Sequence, residues 1–369
     1  MSKFNSTEWD NLFGKLLFDI QRKGCVLMVG PEIVQLEGVG LQRHLREYLQ
    51  RQNKDDIEHF YEKEALFLFK NPSSKTEVQR NASQYYHKLK PNDSVFKEIV
   101  GIPFPLIISV NPDNLLAKEY GEAPHFEGYF NHHAGSNDNQ KILDWSGQTP
   151  LIYNLCGNFQ EDASMLLDYD DLFSFMKTVL GPVGLPDNVR SRLRMAKSFL
   201  FIGFQFDKWY TQLLLRLLND GNSPTQIALN TQMGDADAHH FLLKRYNMQF
   251  LGETIQEKVV KETITGLEFL TELNKRWKNT QAEQISDNEP LTKASVRRML
   301  ERGELEQALD TLPKLVADPE DRDMLTLLSN WYVNWKKETQ KGVEDNRTLE
   351  NRYNKVLNGV LEQLKNLPE

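Results

Sequence analysis

The chain has 369 residues, 40% of them apolar and 26% charged, with a net charge of −8 and two cysteines. Such a length suits two domains, and the composition is that of a globular protein. The acidic balance argues against general nucleic-acid affinity, which needs clustered Lys and Arg to release counterions. Two cysteines far apart, Cys25 and Cys156, exclude a disulfide framework and a four-cysteine zinc site.

The first apolar pattern recurs at helical spacing from Thr7 to Arg22, through Trp9, Leu12, Phe13, Leu16, Leu17 and Ile20. The polar start, Met1 to Asp10, lacks the basic head and apolar core of a secretion signal. No apolar run approaches the ~20 residues of a membrane span. The expectation is a cytoplasmic protein with no membrane contact, no metal and no direct nucleic-acid contact. Cys25 to Val29 is a short unbroken apolar run, read as a strand buried on both faces and ended by Gly30-Pro31. Residues 41 to 89 mix charged, amide and aromatic side chains without a strand pattern, which predicts a helical insertion over the sheet.

Buried strands are predicted at 106–110, 150–155, 198–203, 226–229 and 248–251, with a further one at 125–130. Helices separate them, among them 168–180, capped by Asp168, and one through Trp209 and Leu218. A closing helix is expected over 254–277. Apolar strands alternating with helices predict an α/β class: a Rossmann-like, doubly wound, mostly parallel sheet with a helical insertion. Residues 278–290 are polar and unpatterned and read as a linker. Beyond them, helices broken near Gly303, Asp318-Pro319 and Gly342 predict a small all-α bundle over 291–369. Trp331 and Trp335 share one helix face and are expected in its core.

In an open α/β sheet, ligands bind at the carboxyl ends of strands. Those ends carry Gly30-Pro31-Glu32, Asn111-Pro112-Asp113, Asn154-Leu155-Cys156-Gly157 and Gly203-Phe204-Gln205-Phe206-Asp207. Gly30 can be a plain turn or can let backbone amides approach a phosphate. Asn111 can cap the next helix, shared with Asp113, or hold a ribose hydroxyl or water through its amide.

Four segments in order, Val26 to Pro31, Ile107 to Asp113, Tyr153 to Gly157 with the trailing Asp170 to Phe173, and Leu200 to Asp207, resemble the sirtuin-like family of bacterial antiviral defence proteins. The resemblance covers roughly residues 24 to 275. It implies an NAD-binding Rossmann-type domain which, in active members, cleaves the bond between nicotinamide and ribose. Gly30, with Pro31 and Glu32, would lie at the phosphate turn. Asn111 and Asp113 would match the family's Thr-Asn-x-Asp stretch, which touches ribose and positions water. Gly203, Phe204 and Asp207 would form the turn before a later helix. Active members carry a histidine base just before the glycine of the Asn154-to-Gly157 motif, and here Cys156 stands there. Neither cysteine nor Asn154 is a good base at neutral pH. His132 and His133 are the nearest alternatives in sequence, and His133 is taken as the candidate base.

The stretch from Val296 to Leu309, with Leu327 to Tyr332, resembles the effector-associated domains of bacterial conflict systems. That implies a protein partner, engaged like with like through 291–369, and a homo-oligomer. Two functions stay open: an NAD-hydrolysing effector, or a silent nucleotide-binding adaptor that recruits one.

Overall fold

The computed structural model describes residues 4, 6–36, 38–89, 93–137, 142, 145, 147, 149–181, 184–204, 206, 208–218, 224–229, 236–251, 254–255, 258–259, 264–286, 292–301, 305–316, 318–341 and 346–366. It divides into two compact units, Met1–Trp277 and Lys278–Glu369.

The first unit opens with α1 (Thr7–Gln21), whose Ser6 cap accepts from the Trp9 amide, and β1 (Cys25–Val29). A two-residue hairpin, β2 (Gln35–Leu36) with β3 (Val39–Gly40), precedes α2 (Leu41–Gln52). Next come β4 (Ile57–Tyr61), β5 (Leu66–Phe69), α3 (Pro72–Lys88) and α4 (Asp93–Val100). Then β6 (Leu106–Ser109), α5 (Leu115–Tyr120), β7 (Phe126–Tyr129) and β8 (Leu151–Asn154) follow. Beyond β8 lie α6 (Tyr169–Val179), α7 (Asp187–Met195), β9 (Ser198–Ile202) and α8 (Trp209–Leu218). The unit ends with β10 (Thr225–Leu229), α9 (Ala236–Tyr246), β11 (Met248–Leu251), the short pair β12 (Thr254–Ile255) and β13 (Lys258–Val259), and α10, which begins at Gly266.

Seven strands form one sheet in the order β11-β10-β9-β1-β6-β8-β7, and each neighbouring pair runs parallel. β1, β6, β8 and β9 are buried at every position. Side chains alternate across a strand, so the sheet feeds two cores. Leu27, Val29, Ile107, Leu200 and Ile227 join Phe13, Leu45, Val78 and Leu270 on one face. Val26, Met28, Ile108, Phe199 and Phe201 join Phe175, Val189, Leu214 and Leu242 on the other. This is the doubly wound, Rossmann-like architecture expected. From β1 the chain advances toward β6 and β8, then returns to the other side of β1 at β9. The crevice at that reversal lies outside the carboxyl ends of β1 and β9.

Three expectations change. Residues 41–89 are not wholly helical: β4 and β5 form an antiparallel hairpin outside the main sheet. Leu66 and Phe67 supply its buried side while β4 stays half-exposed, so charged residues mask the strand pattern. The turn after β1 does not lead straight into a helix, because β2 and β3 intervene. The segment 254–277 begins as strands β12 and β13, and its helix starts only at Gly266. That helix continues to Ser286, so 278–286 is helical rather than an unpatterned linker.

The second unit contains α11 (Lys293–Glu301), α12 (Leu305–Thr311), α13 (Pro319–Lys341) and α14 (Asn346–Asn366). Val296, Leu309, Leu312, Leu325, Leu328, Val356 and Val360 form its core. A Cβ on Gly359 would meet Leu328, which shows how closely α13 and α14 approach. Trp331 departs from the expected core position: it is 38% exposed. Trp335 is half-buried and stacks on Tyr332. Both tryptophans line a shallow groove with Arg352 and Lys355, and Lys355 Nζ sits 4.8 Å from the Trp331 ring centre. No helix among the described residues is long and apolar enough to cross a membrane.

Candidate functional site

The four strand ends singled out belong to neighbours in the sheet, β9, β1, β6 and β8, and backbone hydrogen bonds tie them into one edge. Gly30 N–H donates to the Ile202 carbonyl at 2.8 Å, and Glu32 N–H to the Gly203 carbonyl at 3.0 Å. Val110 N–H donates to Val29, and Leu155 N–H to Ser109. A Cβ on Gly30 would run into the Gly203 carbonyl, so the glycine serves a backbone-to-backbone approach. This changes the expected role of the turn. The amides of Gly30, Glu32 and Ile33 are bonded within the protein, and Pro31 has none, so the turn offers no open amide to a phosphate. Gly30→Ala is expected to cost about 1–3 kcal/mol by forced overpacking, read as a lower denaturant midpoint.

Asn111 stands at the centre of this edge, 7% exposed. Its N–H donates to Ser109 Oγ at 3.1 Å, and its Nδ2 donates to the Gly30 carbonyl at 3.2 Å. Two cavities adjoin it. The larger, about 470 Å³, is lined by Ser109, Asn111, Asp113, Tyr129, Asn154 and Asn158 among others. The smaller, about 90 Å³, is lined by Pro31, Arg46, Asn111, Cys156, Phe204 and Lys208 within an apolar wall. Small-molecule sites run to about 300–1,000 Å³, so the larger cavity has the size of one.

The polar atoms of the larger cavity are incompletely matched. Asp113 Oδ1 accepts from the Leu115 N–H at 3.0 Å and so helps to start α5, while Oδ2 is buried and reaches no donor among the described residues. Burial pushes the Asp113 carboxyl up to about 6, against a smaller opposing pull from the Leu115 amide and Lys118. Asn154 donates from Nδ2 to the Asp113 carbonyl at 2.8 Å, and its Oδ1 is buried without a donor. A hydroxyl-bearing ligand would supply what both oxygens lack.

Cys156 lines the smaller cavity, and burial pushes its thiol up to about 12, so it is a neutral thiol at physiological pH. Gly157 has φ +93°, and a Cβ there would meet the Ser164 carbonyl, so the turn after β8 requires it. Gly30, Glu32, Gly157 and Gly203 shape the edge without lining either cavity. Asp207 and Gln205 lie outside the described residues.

The expectation for His133 also changes: it lines neither cavity. Its exposed ring lies 4.1 Å from that of His132, which is buried. His132 Nε2 is 3.7 Å from Asp171 Oδ1, too long for a hydrogen bond. His132, His133 and Asp171 offer atoms within 4.8 Å of one another, a spacing suited to a cation. The cation actually in place is Lys75, whose Nζ lies 2.6 Å from Asp171 and 2.7 Å from Asp168. Asp168 and Asp171 also form the capping box of α6. Next to β7 and α6, His133 therefore belongs to a structural cluster.

Two residues at the site escaped the sequence reading: Arg46 on α2 and Lys208 before α8. Arg46 sits beside Leu45 and three residues before Leu49, so helical spacing places it at the margin of the apolar stripe.

The fold is that of a Rossmann-type domain with two cavities at the carboxyl edge of a parallel sheet. Residues 105–251 match the family model of the SIR2-like domain, and residues 291–368 match that of effector-associated domain 11. Residues 105–251 are thus similar to a SIR2-like domain, and residues 291–368 to an effector-associated domain. A solved structure described as "Structural Basis for the Mechanism and Regulation of Sir2 Enzymes" aligns with 74% of this chain and 99% of its own, at 12% identity and a TM-score of 0.36. That likeness is too slight to carry an argument. No curated protein matches the chain.

Proposed function

We infer that the chain is a sirtuin-like effector of a bacterial conflict system that binds NAD at the Asn111 edge and hydrolyses it to nicotinamide and ADP-ribose. The observation that supports this most is the pairing of Asn111 with a buried carboxylate, Asp113, whose Oδ2 lacks a donor in a cavity of ligand size. The unmatched oxygens of Asp113 and Asn154 suit ribose hydroxyls and water. NAD contributes the glycosidic bond that is cleaved. In this reading Asn111 orients water, and Asp113 rather than His133 is the base. Asp113 Oδ2 takes a proton from the water as the water oxygen bonds to the anomeric carbon. The carbon–nitrogen bond breaks, and its electron pair leaves with nicotinamide. A carboxyl held near pH 6 is ionised in the cytoplasm yet basic enough for this work.

Residues 1–277 form the nucleotide-binding part of this proposal, and 291–369 the part that engages a protein partner or further copies of the chain. The exposed Trp331 beside Lys355 supports a contact role there, since aromatic and cationic residues are enriched at interfaces. The second reading is the silent adaptor, and the neutral Cys156 where active members carry a base favours it. The deciding experiment incubates the purified chain, alone and with its genetic neighbours, with NAD and follows nicotinamide release. Release that is lost in Asn111→Ala supports the effector. Calorimetric binding of NAD with no release in any combination supports the adaptor, and no binding at all removes both.

A further inference from the structure

Arg46 projects from α2 into the wall of the smaller cavity, on a helix face otherwise filled by Leu41, Leu45 and Leu49. It is 5% exposed. Its Nη2 donates to the Leu166 carbonyl at 3.3 Å, and the guanidinium carbon stands 5.1 Å from the Phe67 ring centre. Nε and Nη1 are buried and reach no acceptor among the described residues. A guanidinium cannot shed its proton, so these open donors cost stability until an acceptor arrives.

Asp171 is held by Lys75 and by the Leu167 N–H. Glu64 lines the same cavity, with Tyr169 in its field. A second cation, Lys208, lines the cavity too, 3.4 Å from Gln42 Oε1 and with Glu32 in its field. Much of the remaining wall is apolar, including Leu66, Leu167, Leu172 and Phe175. A space of about 90 Å³ holds several waters by volume, which is room for phosphate groups and not for a nucleoside.

We propose that Arg46, backed by Lys208, is the anion anchor of this crevice and holds the diphosphate of a nucleotide whose ribose lies against Asn111. The proposal rests on the nucleotide reading above and gives the phosphates a holder that the Gly30 turn does not supply. Arg46 and Lys208 set two positive charges against the single Glu64 carboxylate on this wall, which leaves the enclosure positive toward a diphosphate. They also discriminate against a nucleoside without phosphate, which would leave Arg46 unpaired.

The test is titration calorimetry on the full chain with NAD, ADP-ribose, nicotinamide riboside and inorganic pyrophosphate, for the parent, Arg46→Met and Arg46→Lys. Methionine matches the length without the charge, and removing an unpaired buried charge does not threaten the fold. NAD and ADP-ribose are expected to bind Arg46→Met about a hundredfold more weakly, with part of the loss recovered in Arg46→Lys. Nicotinamide riboside should bind parent and variant alike. Equal NAD affinity in parent and Arg46→Met overturns the anchor and leaves the NAD reading standing. Pyrophosphate binding that depends on Arg46, with no binding of NAD or ADP-ribose, keeps the anchor and removes the NAD reading. Binding of none of the phosphate ligands ends both. If Arg46→Met fails to fold, the parent decides: pyrophosphate must raise its melting temperature and compete with NAD, and failure of either overturns the anchor.

Discussion

Asp113→Asn is expected to cut nicotinamide release by about 10²–10⁴-fold, the usual loss when a general base is removed. The parent should show kcat/KM rising with pH through about 6 as the carboxyl ionises, and the variant should lack that limb. The same substitution has an opposite signature in stability. Burial raises the folded-state pKa from 3.8 to about 6, so the folded state holds this proton more tightly than the unfolded chain. Stability therefore falls as pH rises from about 4 to 6, by about 3 kcal/mol for a shift of this size. Asparagine can still accept from the Leu115 N–H and carries no such penalty. Melting temperatures across pH 4 to 8 should thus decline in the parent and stay level in Asp113→Asn. Release within about tenfold of the parent would remove Asp113 from the base role. A silent adaptor would keep the stability signature and show no release to lose.

Lys75→Met is expected to destabilise the first unit by about 3 kcal/mol, because it strands Asp171, whose side chain is 1% exposed, without its cation. Burial alone would raise the Asp171 carboxyl. His132, Lys75 and the Leu167 amide together outweigh burial and hold it at about 2. A depressed carboxylate contributes stability above its unfolded pKa, near 4, and loses it as pH falls through 2. The contribution is about 2 kcal/mol. The acid-unfolding midpoint of Lys75→Met should accordingly move to higher pH. Urea unfolding at pH 7 checks the first effect, and a difference below about 0.5 kcal/mol, the range of an ordinary surface change, would show that the ion pair is ornamental to the fold.

The sheet was legible because its strands are covered on both faces. Cys25–Val29 and Phe199–Ile202 read as unbroken apolar runs, and such runs have few alternatives in a chain of this composition. The β4–β5 hairpin was not legible. It packs on one side only, and its exposed Glu58, His59, Glu62 and Lys63 dilute any alternation over strands of five and four residues. The site divides along the same line. Asn111, Asp113, Asn154 and Cys156 follow directly from where strands end, and each lines a cavity at the sheet edge. Arg46 sits on a helix of mixed charge, where Arg43, Arg46, Glu47 and Arg51 look alike in sequence and only packing decides which one turns inward. His133 lines neither cavity for the converse reason: closeness in sequence to β8 said nothing about the pull of Asp171 and α6 on its loop.

The order of strands bears on how the molecule is made. β1 leaves the ribosome first, yet its partners are β6 and β9, and the pairing of Cys25 with Ser198 joins segments separated by nearly half the chain. Contacts so distant in sequence form late, after the entropy of closing a long loop has been met. During synthesis the future floor of the crevice is therefore an open strand edge, and Gly30 meets Gly203 only once most of the first unit exists. The edge that carries Asn111 is completed near the end of that unit's folding, so a nascent or truncated chain lacking β9 has only part of it.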